Sequence, residues 1–170
     1  EDVVVVVLDS GIDENHPWFL DENDNSRVLK EYGINCLKAD SMEMCQKGEE
    51  NYDDDGEIKT RPKYYDTSGH GTHVAGIIGY ITPDNVKILP VKAFTGKEDG
   101  SENEAISRGI LSAMDYILHL LETTDLNIKV VNFSDESLTF IFNFKEKEDY
   151  SKRVNALYEK GVMFVTVAGN

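Results

Sequence analysis

Basic residues are scarce in this chain. Among 170 residues, Lys and Arg number 17 against 32 Asp and Glu, a formal net charge of −15. Nucleic-acid phosphates and anionic lipids are held by clustered basic side chains, so neither partner is expected. The balance suits cationic substrates or bound Ca²⁺, and it keeps a surface soluble in any case. Long apolar runs are also missing. Val3 to Leu8 falls far short of the ~20 residues of a spanning helix, so no membrane partner is expected. That run has no basic flank and leads straight into an Asp, unlike a signal peptide. The chain therefore reads as starting inside a fold, with any export signal or propeptide removed or left out. Cysteine is nearly absent. Cys36 and Cys45, nine positions apart in a polar loop, fit either two unrelated thiols or a small disulfide. Repeats and low-complexity tracts are lacking, and 40% hydrophobic residues suffice for one domain with a sizeable core.

What is present alternates between strand and helix patterns. Val3–Leu8 is a β-branched run without polar alternation, the pattern of a strand covered on both faces. Residues 20–66 read as a long irregular insertion. A helix rich in small residues is expected from His70, and a strand over Val86 to Phe94. Ser101-Glu102-Asn103-Glu104 has the form of a capping box. Behind it, Ile106, Ile110, Ala113, Met114, Ile117 and Leu121 recur at helical spacing. Ile128 to Phe133 is expected as a strand. A charged helix follows with Tyr150, Val154, Leu157 and Tyr158 inward and Gly161 at its C-terminal cap. The last expected strand runs from Val162 to Ala168. This alternation predicts an α/β fold: a mostly parallel sheet with helices on both faces, its functional groups beyond the carboxyl ends of the strands. Asp9, Ser134 and Asn170 stand at such ends, and His70 opens a helix.

Taken singly, these residues are weak evidence. An Asp at a strand tip can be a phosphoacceptor, a metal ligand or a cap for the next turn. Two His three apart, His70 and His73, can share a helix face and bind zinc, although no Cys or third His clusters with them in the sequence. The segments are more specific than their residues. Val7-Leu8-Asp9-Ser10-Gly11-Ile12-Asp13, with His16-Pro17 beyond, and Ser68-Gly69-His70-Gly71-Thr72-His73-Val74-Ala75-Gly76 resemble the catalytic-Asp and catalytic-His segments of the subtilisin-like serine peptidases. Gly161 to Asn170 resembles the strand whose closing Ala-Gly-Asn bears their oxyanion asparagine. The three matches fall in the family's order and span nearly the whole chain.

The resemblance implies a Rossmann-like three-layer sandwich, a partial subtilisin-like fold, and hydrolysis of peptide bonds. Asp9 would accept a hydrogen bond from the His70 imidazole. His70 would take the proton of a serine hydroxyl and pass it to the leaving amine. Asn170 would donate to the developing oxyanion, and His73 would pack within its own helix start. Phe94, Gly100, Ser134 and Asp135 lie where the family places its substrate-flanking strands. No cofactor is required. Calcium is weighed for Asp21-Glu22-Asn23-Asp24-Asn25 and Asp53-Asp54-Asp55-Gly56, against the presence of Trp18 where many relatives carry a ligand Asp.

Two departures stand out. The family's serine follows the asparagine, whereas this sequence stops at Asn170, so residues 1–170 read as an incomplete catalytic domain, inactive alone. Its partners would be a peptide or protein substrate and the remaining C-terminal portion of the domain. The family's setting would favour a secreted or cell-surface location. Second, Val131-Asn132-Phe133-Ser134 is followed by Asp135-Glu136-Ser137, losing the glycine on which a peptide backbone lies close. That rim is either selective for basic residues, or unable to hold an extended peptide, or a shifted loop with solvated carboxylates. A non-catalytic relative that binds peptide or a protease partner is the competing function. An Asp-centred phosphoryl-transfer domain would leave His70 unexplained.

Overall fold

A computed structural model describes residues 1–95, 103–135 and 143–168, with the side chains of 103–105 left aside. Five parallel strands form one sheet: β1 (Val3–Asp9), β2 (Ile34–Asn35), β5 (Val86–Lys92), β6 (Ile128–Phe133) and β7 (Met163–Thr166). Their spatial order is β2-β5-β1-β6-β7, so the first strand in sequence lies in the middle. Val4, Val6 and Leu8 enter a large core with Ile110, Met114 and Ile117, while Val7 faces a smaller one with Phe19, Ala75 and Ile88. Covering both faces explains why the Val run has no polar alternation, and each buried valine contributes about 1.5–3 kcal/mol.

The helices supply the two covering layers. Helix α1 (His70–Ile81) lies over the smaller core. Helices α2 (Asn103–Thr123) and α3 (Phe144–Glu159) lie over the larger one. The apolar spacing read in α2 is the face it buries, and a bidentate pair of Arg153 to Asp115, both bonds 2.7 Å, ties α3 to it. The capping box expected at 101–104 lies outside the described residues. In α3, Leu157 is buried and Tyr150 and Val154 pack against the core, but Tyr158 is 78% exposed rather than inward. Its direction follows from its place next to Leu157, about 100° round the helix. Gly161, at φ 78°, turns the chain out of α3 as expected. Strands β5 and β7 end earlier than their apolar patterns do, at Lys92 and Thr166.

The stretch 20–66 is less irregular than its composition indicates. It adds β2 to the sheet edge and folds an antiparallel hairpin from β3 (Glu49–Asp54) and β4 (Glu57–Pro62). The hairpin carries almost no apolar pattern, because most of its side chains are exposed. Cys36 and Cys45 form a disulfide, which decides between the two readings left open by the sequence. Closing so short a loop stabilises the fold by about 2–3 kcal/mol through the entropy of the unfolded chain. The double substitution Cys36→Ser with Cys45→Ser is expected to cost that amount in urea denaturation. A loss below about 0.5 kcal/mol would show that the loop is held by its other bonds.

Among the described residues, no helix is long and apolar enough to cross a membrane.

Candidate active site

The carboxyl ends of β1 and β5 and the first turn of α1 converge. Asp9 is the last residue of β1, fully buried, and His70 is the first of α1, with its side chain 47% exposed. His70 Nδ1 lies 2.7 Å from Asp9 Oδ1. The same oxygen accepts the Ser10 N–H at 2.7 Å. When Asp9 is ionised its oxygens only accept, so the proton of this bond is then on His70 Nδ1. In that tautomer Nε2 carries no proton and can accept one. Burial pushes the Asp9 carboxyl above its ordinary range, opposed by its bonds with His70 and Ser10. Its second oxygen, Oδ2, is buried without a partner among the described residues.

The close approach of strand tip and helix depends on glycine. A Cβ on Gly71 would sit 2.1 Å from the Gly11 carbonyl oxygen and 3.1 Å from Asp9. Gly69 serves a different purpose. Nothing lies within 4 Å of a Cβ there, but its φ of 89° is the left-handed turn that starts α1.

Around the pair is a set of polar groups whose parts were not singled out in the sequence as functional. Asp66, 6% exposed, accepts from the Ser10 hydroxyl and from the amides of Ser68 and Gly69, each at 2.9 Å, through Oδ1. Through Oδ2 it accepts from the Thr72 amide at 2.8 Å and hydroxyl at 2.7 Å. Burial pushes this carboxyl up, but the Thr72, Ser68 and Gly69 bonds outweigh it and hold it below the usual range. Lys92, also buried, donates to the Tyr65 carbonyl at 2.7 Å. The one available signal was an Asp four residues ahead of a helix-opening His within a Ser/Gly turn.

Of the other residues singled out, Phe94 is buried, its ring 6.4 Å from that of His70 and 6.1 Å from that of Phe133. Ser134 Oγ accepts from Asn132 Nδ2 at 2.9 Å just past β6, and Asp135 follows it, half-buried. Gly100 and Asn170 lie outside the described residues, as do Glu136 and Ser137. His73 is exposed rather than packed within α1. It lines an open pocket of about 450 Å³ with His16, Trp18, Tyr65 and Asp13. Although residues three apart lie on one helix face, His70 is turned to Asp9 while His73 lines this pocket, which His70 does not join.

For calcium, the acidic loop at 21–25 is turned on itself. Asp21 accepts from the amides of Asn23 and Asn25 and from the Asn25 side chain. Among the described residues, no three His, Cys, Asp or Glu side chains gather as a metal site.

The carboxyl edge of the parallel sheet thus carries an imidazole hydrogen-bonded to a buried carboxylate. Comparison with known proteins places the chain. The model of the subtilase family, peptidase S8, matches residues 1–170, and the chain belongs to that family. It is 33% identical over 79% of its length to a subtilisin-like protease of Coccidioides posadasii. It is 27% identical over its whole length to a subtilase-type proteinase of Saccharomyces cerevisiae. It is 26% identical over 98% of its length to a cuticle-degrading serine protease of Arthrobotrys oligospora. The chain spans 27%, 27% and 32% of those relatives. No solved structure matches it significantly.

Proposed function

We propose that Asp9 and His70 are the acid and base of an Asp-His-Ser triad that hydrolyses peptide bonds. The observation that carries this reading is the 2.7 Å contact of His70 Nδ1 with Asp9, which leaves Nε2 free to take a hydroxyl proton. The serine is supplied by a segment outside these 170 residues. The nearby hydroxyls are engaged elsewhere: Ser10 Oγ donates to Asp66 and accepts from Gly71 N–H, and Ser68 Oγ donates to Ser10. Attack of that serine forms a tetrahedral adduct, His70 passes the proton to the leaving amine, and water then releases the acyl group. Asn170 would donate to the oxyanion. Ser134, Asp135, Gly100 and Phe94 would flank the substrate, with Asp135 favouring a basic side chain. Calcium remains a lesser proposal, with no step depending on it.

The test is labelling of the intact protein by a fluorophosphonate, which reacts only with an activated serine. Labelling is expected in the native protein, with loss of at least ~10³-fold in rate in His70→Ala. Residues 1–170 alone are expected not to label. An intact protein that ignores the probe yet binds peptide would instead support the non-catalytic reading.

A further inference from the structure

We infer that Asp66 is a positioning residue, the single carboxylate that fastens the tip of β1 to the first turn of α1 and so holds Asp9 against His70. The inference rests on the acid–base reading above and goes beyond it, because Asp66 touches neither ring nor reacting atoms.

The geometry is that of a clamp with two jaws. On the helix side, α1 begins at Gly69, which has no side chain to cap it. The first amides of a helix have no internal partners and must find acceptors. Asp66 provides them from three residues upstream: Oδ2 takes the Thr72 amide and hydroxyl, and Oδ1 takes the Gly69 amide. On the strand side, Oδ1 takes the Ser10 hydroxyl, whose oxygen in turn accepts the Gly71 amide at 2.9 Å. Ser10 is the residue after Asp9, and Gly71 the residue after His70. The chain Asp66–Ser10–Gly71 therefore joins the neighbours of both members of the pair. Thr72 adds a second tie. Its Oγ1 accepts the Asp13 amide at 2.9 Å, so the loop beyond β1 is fastened to the same turn.

The charge matters as well as the shape. Asp66 accepts from five groups within 2.9 Å. An amide in its place would turn an N–H toward the Thr72 donors on one side. Neutralising it thus opposes two donors and removes the attraction that draws the turn inward.

Such a residue shifts the geometry of the pair rather than the affinity for substrate. A displacement of about 1 Å between base and reacting group lowers turnover by about 10²-fold. A residue that only stabilised the fold would leave the surviving folded molecules fully active.

The experiment reads the His70 Nδ1 proton by NMR on the intact protein, where a carboxylate-bound imidazole proton resonates at low field. Asp9→Ala assigns the signal by removing it. Asp66→Asn is expected to shift it upfield or broaden it away, and to lower kcat by about 10²-fold with KM within about twofold. Leu157→Ala, which truncates a core residue under α3, controls for lost stability and is expected to leave the signal in place. If Asp66→Asn does not fold, Ser10→Ala decides, since it removes the oxygen that links Asp66 to the Gly71 amide, leaves the Thr72 bonds of Asp66 in place and is expected to weaken the same signal. An unchanged signal and kcat in folded Asp66→Asn, or in Ser10→Ala where that variant decides, would overturn the inference. Absence of the signal from the native protein would overturn both this inference and the acid–base reading. A native signal without any hydrolysis would sink only the proposed reaction, leaving the clamp to be judged on the signal.

Discussion

Replacing Asp9 by Asn is expected to lower kcat/KM by about 10⁴-fold and to make the variant gain stability relative to the native protein as pH rises. Both halves follow from one set of contacts. The Ser10 N–H and the His70 ring converge on Oδ1, and an Asn there is uncharged and can turn an N–H to the ring, which favours the wrong imidazole tautomer. What is lost is the negative charge that stabilises the imidazolium formed when His70 takes a proton, and the loss of an orienting carboxylate in such triads is about 10⁴-fold. The stability half comes from burial. Desolvation raises the Asp9 carboxyl above its ordinary value of 3.8, so the folded state binds its proton more tightly than the unfolded state does. A group with a raised folded value contributes stability below the unfolded value and loses it as pH rises through the folded one. The ionised carboxylate is therefore a burden on the fold at neutral pH. The melting temperature of the Asn variant should therefore rise relative to that of the native protein as pH increases above the unfolded value of 3.8. A difference that stays constant or falls over that range would show that Asp9 is not raised in the folded protein.

Arg27→Ala is expected to produce the largest loss of stability, about 3–5 kcal/mol. The residue is 2% exposed, and among the described residues it pairs with no carboxylate. Its guanidinium is satisfied by oxygens alone: the Val86 carbonyl at 3.0 Å, the Gly79 carbonyl at 2.7 Å, the Thr82 hydroxyl at 2.7 Å and the Pro83 carbonyl at 3.0 Å. These groups close the end of α1 and open β5, where the outward dipole of the helix is negative and favours a cation. Truncation leaves several buried acceptors without donors, each costing about 1–3 kcal/mol before any rearrangement. Arg27→Lys keeps the charge but not the fork, and is expected to lose about half as much. Urea denaturation measures both. A loss under 1 kcal/mol for the alanine variant would mean that water enters and replaces the fork.

How much of this was legible beforehand differs between kinds of residue. The Val3–Leu8 run and the apolar face of α2 announce their elements because burial on two faces and on one stripe leave different periods in the chain. The Asp9 and His70 segments were legible because residue type, glycine spacing and order coincide. Arg27 and Asp66 were not, since each is defined by what folds back onto it: carbonyls from residues 79–86 in one case, hydroxyls and amides from residues 10 and 68–72 in the other. A lone Arg or Asp in a polar stretch reads as surface. The β3–β4 hairpin was hidden for a related reason, as exposed strands carry no inward stripe to betray them.

The central place of β1 has a consequence for biosynthesis. Its two neighbours begin at Val86 and Ile128, so Val3–Asp9 leaves the ribosome long before either flank is made. Until then it is a bare, β-branched, nearly uncharged ribbon with both edges open, the kind of stretch that seeks other nascent chains. Slowing translation between those two points should therefore lengthen the period of sticky exposure and reduce the soluble yield.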